Sequence, residues 1–271
     1  MVFIPIILFV LGAVFGSFAC CQTWRLRNRD KSKRSHCQKC SYQLTWYDNL
    51  PIISWVLLKG KCRKCSHRIG VTELLSEIFL GLTFASSFIF WPFAPSDPSA
   101  GLNGLAVAEF AVFLALLIGL TVLFIYDARW GELPIKPLIY CVACAVIWVL
   151  LHQAGHIVSN SFSPNNMVEL LGALLVLPLL YYFLYKLSNE QWVGSGDWIL
   201  CIPLALVLGN FWLAFFCLFT SNLLGCLAAI PTLTKKHKTP QHKIHFGPFL
   251  ILGFLVVFLS QNLIYQLFYF Y

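Results

Sequence analysis

Long apolar blocks, most of them about 20 residues, recur along this 271-residue chain and constrain its fold more than any other feature. A helix of that length crosses the ~30 Å hydrocarbon core of a bilayer and satisfies its own backbone amides while doing so. Eight blocks can be read, at residues 2–24, 73–93, 104–126, 134–152, 166–187, 198–209, 211–231 and 246–269. The sixth and seventh form one run too long for a single helix, and Gly209-Asn210 is the turn that divides it. The sixth is then short, rising only ~18 Å, so it is expected as a partial span buried by its neighbours. Charged residues make up 11% of the chain, against about 25% in soluble domains. The expected fold is an all-α polytopic membrane protein with about eight transmembrane helices and one zinc-stapled cytoplasmic loop domain.

The basic residues set the orientation. Residues 25–68 hold 12 of the 19 Lys and Arg, and four more lie between Lys235 and Lys243. With the N-terminus outside, all 19 fall on the inner side, as the positive-inside rule requires, and the outer connections 94–103 and 153–165 have none. This distribution follows membrane topology and gives no footprint for nucleic acid. The first block lacks a basic region before it, so it reads as a retained span and not as a cleaved signal. The expected organisation is a first span at 1–24, a cytoplasmic loop domain at 25–72 and a transmembrane core at 73–271.

A loop of that size is too small to build a dependable apolar core without a staple. Cys37-x-x-Cys40 and Cys62-x-x-Cys65 supply one. Four thiolates at this spacing suit tetrahedral Zn²⁺, the neighbouring Lys and Arg favour the thiolate form, and a reducing cytoplasm disfavours two disulfides. His36 and His67 flank the pairs and are expected to be solvated. The remaining cysteines, including Cys141-x-x-Cys144 within an apolar span, read as small helix-packing residues.

Only 11 acidic residues are present, so each one near a span carries information. Asp127 ends the third block in Tyr126-Asp127-Ala128-Arg129-Trp130, and Asp197 opens the sixth in Gly194-Ser195-Gly196-Asp197. Under the topology above both lie at cytoplasmic helix ends. Two carboxylates at matching depth in a low dielectric can hold one proton between them, the arrangement that activates water against an amide without a covalent intermediate. Taken singly, Asp197 could equally be a helix cap and Asp127 a counter-charge to Arg129. Glu73 and Glu77 stand one turn apart at the start of the second span, whereas Glu109 and Glu169 are expected to be solvated at outer helix ends. No G-x-S-x-G, H-E-x-x-H or P-loop pattern occurs.

Taken together these residues resemble the type IV prepilin peptidases, integral-membrane aspartic enzymes of bacteria. The resemblance runs along nearly the whole chain. It rests on Phe15-Gly16-Ser17-Phe18, on the Cys tetrad bracketing Trp46 to Trp55, and on Asp127 followed by Leu133-Pro134. Gly194 to Asp197 and Phe246-Gly247-Pro248-Phe249 complete the set. It implies Asp127 and Asp197 as the catalytic pair and Cys37, Cys40, Cys62 and Cys65 as zinc ligands. Substrates would be prepilins or pseudopilins, engaged through their basic leader and apolar N-terminal helix and cut at the cytoplasmic face of the inner membrane. Members with the four-cysteine loop commonly also N-methylate the new N-terminus with S-adenosylmethionine, for which Gly16 and Glu73 are the candidate positions. The chain departs from the common pattern at Arg27, Gln38, Ile135 and Ile199, none of which is a catalytic carboxylate or a zinc thiolate. A reading from another class is a non-enzymatic membrane scaffold or transporter with a zinc-stabilised loop. Against it, the acids cluster at one face and no repeated broken helices are evident.

Overall fold

The structure is a computed structural model that describes residues 3–30, 34–91, 104–158, 164–188, 194–234 and 245–268. Among these residues the regular structure is helical, with isolated bridges and no strand. Asp97, the basic run from Lys235 to Lys243 and the connection 94–103 lie outside the described residues. Seven helices are long and apolar enough to cross a membrane, and the eighth apolar segment is the shorter helix Ser195–Leu208. The chain divides into two compact units, residues 1–89 and 90–271.

In the first unit, α1 (Phe3–Asn28) packs along α3 (Val71–Ile89). Gly12 and Gly16, one turn apart on α1, make the close approach possible. A Cβ on Gly12 would stand 2.5 Å from the Leu80 carbonyl oxygen, and one on Gly16 would stand 2.5 Å from that of Ser76. Small residues at i and i+4 let two membrane helices meet backbone to backbone, and Ser76 Oγ donates to the Gly16 carbonyl at 3.2 Å across the seam. Between these helices the chain forms two cysteine turns, a 3-10 turn at Trp46–Asn49 and the five-residue α2 (Ile53–Leu57).

The second unit contains α4 (Gly104–Trp130), α5 (Ile135–Val158), α6 (Pro164–Leu174), α7 (Leu180–Ser188), α8 (Ser195–Leu208), α9 (Phe211–Thr234) and α10 (Gly247–Phe268). A π turn at Leu175–Leu179 joins α6 to α7 and contains Pro178, whose missing N–H and ring displace the regular ladder. The two pieces thus make one span, Asn165–Ser188. Helix α8 touches α5, α6, the π turn, α7, α9 and α10. Leu200, Cys201, Leu204 and Ala205 on it are fully buried, as expected of a helix too short to face lipid alone. Gly209 closes α8 with φ +61, and Asn210 Oδ1 caps α9 by accepting the Trp212 and Leu213 amides at 2.8 and 3.3 Å. The turn therefore falls where the sequence marks it.

Candidate active site and metal centre

Asp127 lies in the last turn of α4, which continues to Trp130. Gly131, at φ +67, stops the helix, and its amide donates to the Asp127 carbonyl at 2.8 Å. Leu133 then folds onto the glycine-rich start of α8. A Cβ on Gly196 would meet the Leu133 Cβ at 2.6 Å, so only glycine fits there. One residue further on is Asp197, in the first turn of α8, and its Oδ2 accepts the Gly194 amide at 3.0 Å. The cap residue itself is Gly194, so Asp197 reaches back to it from inside the helix.

The third contributor is the start of α10. A Cβ on Gly247 would lie 2.7 Å from Asp127 Oδ2, which places Gly247 directly against the carboxylate. The Gly247 amide also approaches Asp127, but no donor reaches Oδ2 in full hydrogen-bond geometry among the described residues. Asp127 and Asp197 are 4% and 9% exposed, so each carboxylate is largely withdrawn from solvent. The charge of Asp127 acts on Asp197 through the space between them. The Leu133–Gly196 contact thus sets the chain after α4 against the start of α8, and Gly247 of α10 lies against Asp127.

The four cysteine sulfurs of the first unit lie within 4.8 Å of one another. Cys37 Sγ is 3.7 Å from Cys65 Sγ, and Cys40 Sγ is 4.0 Å from Cys62 Sγ. Tetrahedral zinc with Zn–S bonds of about 2.3 Å would hold its sulfurs roughly 3.8 Å apart, so the donor set and spacing fit that ion. The two turns are built alike. In each, the residue after the second cysteine (Ser41, Ser66) has φ +54 and donates its amide to the first cysteine's carbonyl at 2.9 Å. Burial raises the Cys37 thiol, but the Cys40 and Lys39 amides and the Cys62 and Cys40 thiols outweigh it and bring it down to about 6. For Cys65 the His67 amide lowers the value, while burial and the other three thiols carry it up to about 11. The four sulfurs could thus hold a metal ion, which would bind them as thiolates.

Residues 10–91 match the model of the bacterial peptidase A24 N-terminal domain, and residues 114–230 match that of the type IV leader peptidase family. The chain belongs to the type IV leader peptidase family. Among its relatives is the prepilin leader peptidase/N-methyltransferase of Dichelobacter nodosus, 29% identical over 235 residues, which cover 86% of this chain and 73% of that protein. The type 4 prepilin-like proteins leader peptide-processing enzyme of Escherichia coli O78:H11 is 27% identical over 283 residues, 96% of this chain and 95% of that protein. The prepilin leader peptidase/N-methyltransferase of Neisseria gonorrhoeae is 28% identical over 234 residues, 86% and 73% of the two chains. No solved structure matches the chain. Its membership makes it a multi-pass membrane protease of bacteria. The N-terminal match takes in Gly16, Glu73 and the Cys tetrad, and the leader-peptidase match takes in both aspartates.

Of the other acids in this leader peptidase, Glu169 is exposed as expected, whereas Glu109 is not. Glu109 is 7% exposed and not solvated, because His152 Nδ1 stands 3.8 Å from its carboxylate. Glu77 is also buried, and its Oε2 accepts the Ile52 amide at 2.7 Å. That bond holds a β-branched residue at φ +62, a costly conformation. Glu73 lies on the first turn of α3, half-buried. Gly16 has a packing reason of its own against Ser76 and Glu77. One neighbour of the aspartates escaped the sequence reading. A Cβ on Gly131 would be 2.6 Å from His245 Nε2, and the His245 ring acts electrostatically on Asp127. The only signal for it in the sequence is its position immediately before Phe246-Gly247-Pro248-Phe249.

Proposed function

We propose that this family member is an aspartic endopeptidase that removes the basic leader of type IV prepilins or pseudopilins by water activated between Asp127 and Asp197. The observation that carries this reading is the convergence of three motifs far apart in sequence on two buried carboxylates. A pair sharing one proton supplies both roles that amide hydrolysis needs. The ionised carboxylate takes a proton from water as its oxygen attacks the scissile carbonyl carbon, and the protonated partner donates to the carbonyl oxygen. When the tetrahedral diol breaks down, the proton taken from water passes to the departing amine, a diol hydroxyl returns its proton to the other carboxylate, and the pair regains its starting state. The apolar faces of the spans leave the substrate's N-terminal helix in the bilayer, with the leader at the inner surface. The distribution of Lys and Arg supports that orientation, with the N-terminus outside.

Zinc is the ion the four-thiol set suits, held by Cys37, Cys40, Cys62 and Cys65. With all four positions taken by protein, its part is to staple the loop. The relatives' names include an N-methyltransferase activity. In this chain that reading assigns S-adenosylmethionine as methyl donor and Gly16 and Glu73 as positions to test.

The deciding experiment is cleavage of a purified prepilin by the chain in lipid nanodiscs. Asp127→Asn and Asp197→Asn should each reduce cleavage by about 10³-fold or more while the protein inserts and melts normally. Cleavage within tenfold of wild type by either folded variant would remove the two-aspartate mechanism. Mass spectrometry of the new N-terminus, with and without S-adenosylmethionine, tests the methylation separately.

A further inference from the structure

In the first unit, the segment between the two cysteine turns carries an apolar face that the protein leaves uncovered. Trp46, in the 3-10 turn, is 77% exposed and Leu57, on α2, is 76% exposed, with Ile53 and Val56 more than half exposed beside it. Trp55 on the same helix is used differently. Its ring lies against Gly60, where an added Cβ would stand 2.8 Å from Trp55 Cζ2.

Three observations indicate what covers this face. The first is depth. The Ile52 amide donates to Glu77 Oε2 at 2.7 Å, and Glu77 is six residues into α3, which starts at Val71. At 1.5 Å per residue that is about 9 Å inward from the end of the helix. The 19 residues of α3 are about as long as the ~30 Å hydrocarbon core is thick, so the start of α2 is pinned below the level at which the span emerges. The second is the backbone. The amides of Ser54, Val56 and Leu58 donate to the carbonyls of Leu50, Ile52 and Ser54, and the Gly60 amide donates to that of Trp55, at 2.8–3.1 Å. A segment that satisfies its amides internally can enter lipid, where water is not there to do so. The third is charge. From Arg34 to Val71 there are seven Lys and Arg against one acid, Asp48, and Arg63 Nε occupies that carboxylate at 2.8 Å. Lys59 and Lys61, both exposed, follow α2 within four residues. An apolar face with a basic flank matches a membrane surface that carries anionic headgroups.

We infer that Trp46 and α2 form an interfacial anchor, inserted into the leaflet on the loop's side of the membrane and held at its anionic headgroups by Lys59 and Lys61. Trp46 suits the headgroup level, where an indole ring has both apolar and polar surroundings, and Ile53, Val56 and Leu57 reach the acyl chains. The anchor seats the cysteine loop against the bilayer and needs neither aspartate.

The test uses the full chain in nanodiscs of phosphatidylglycerol and phosphatidylcholine. A benzophenone is introduced by Leu57→p-benzoylphenylalanine and, separately, by Val56→p-benzoylphenylalanine. After irradiation, mass spectrometry should find lipid attached at each position at least about a third as often as from the same probe at Leu11, which is exposed on α1. The attached lipid should be enriched about threefold in phosphatidylglycerol over its share of the disc, whereas Leu11 should capture the two lipids in proportion. Attachment to protein in place of lipid, whether an added prepilin or a second copy of the chain, would assign the face to that partner and overturn the inference. Attachment to no lipid at all, the result for a face in water, would overturn it as well. Equal shares of the two lipids at both α2 positions would remove the role given to Lys59 and Lys61. Both probe positions are exposed and should leave the fold intact, and either one decides if the other disturbs it.

Discussion

Replacing Gly247 by alanine tests whether the aspartate geometry is held as tightly as the contacts imply. The new Cβ would stand 2.7 Å from Asp127 Oδ2 and 3.3 Å from Asp127 Cγ. Ordinary contact begins about 0.7 Å further out, so either the carboxylate turns away or the start of α10 retreats. Overpacking of this kind costs typically about 1–3 kcal/mol, which a folded bundle should survive. Catalysis should not survive it equally well, because displacing a reacting group by up to ~1 Å costs as much as about 10²-fold in rate. The expected result is kcat for prepilin cleavage lowered about 10- to 100-fold, with KM little changed and Tm lowered by only a few degrees. The control is Gly104→Ala at the opposite end of α4, where an added Cβ meets nothing within 4 Å. A folded Gly247→Ala protein cleaving at the wild-type rate would refute the argument that Asp127 is positioned by this contact.

Three further outcomes are expected. Asp48, buried in the loop, accepts from Thr45 Oγ1 at 2.7 Å and Arg63 Nε at 2.8 Å. Although burial raises its carboxyl, these bonds outweigh it and hold it below the usual value. Its stabilising effect is thus complete above the unfolded value near 3.9 and is lost as pH falls through the lower folded value; Asp48→Asn should cost the loop about 1 kcal/mol at neutral pH and flatten that acid dependence, read by limited proteolysis. Cys62→Ser should abolish retention of one zinc per chain, measured by elemental analysis, and loosen residues 34–70 to hydrogen exchange, with the span packing of α1 and α3 retained. Gly16→Ala should destabilise the α1–α3 pair by at least about 1 kcal/mol, since the obstructing atoms are backbone; thermal melting checks this alongside methylation, and lost methylation with unchanged melting would assign Gly16 a direct role.

Much of the fold is legible because a bilayer imposes a simple rule on sequence. Span lengths follow from hydropathy alone, and Gly209-Asn210 divides the long sixth run because glycine can close one helix and asparagine can open the next. The cysteine turns are readable from spacing, since four ligands to one ion must come in close pairs. What the sequence hides are pairings across the bundle. Glu109 looks solvated until His152, 43 positions later, is found beside it. Nothing in the sequence shows that the carboxylate of Glu77 is taken by the Ile52 amide, 25 positions earlier. His245 carries no spacing signal because its neighbour Asp127 is set by tertiary packing and not by helical period. The π turn at Leu175–Leu179 is similarly hidden, as Pro178 alone indicates a kink but not its kind.

The length of α8 has a consequence for the nucleophile itself. Its 14 residues rise about 21 Å, roughly 9 Å less than the hydrocarbon layer is deep. Because neighbouring helices enclose it, the remaining depth must be filled at its ends by other chain segments or by the aqueous phase reaching inward. With Asp197 on its first turn, the water of the proposed reaction could arrive at that end of α8, and no conduit along the length of the bundle would be needed to deliver it.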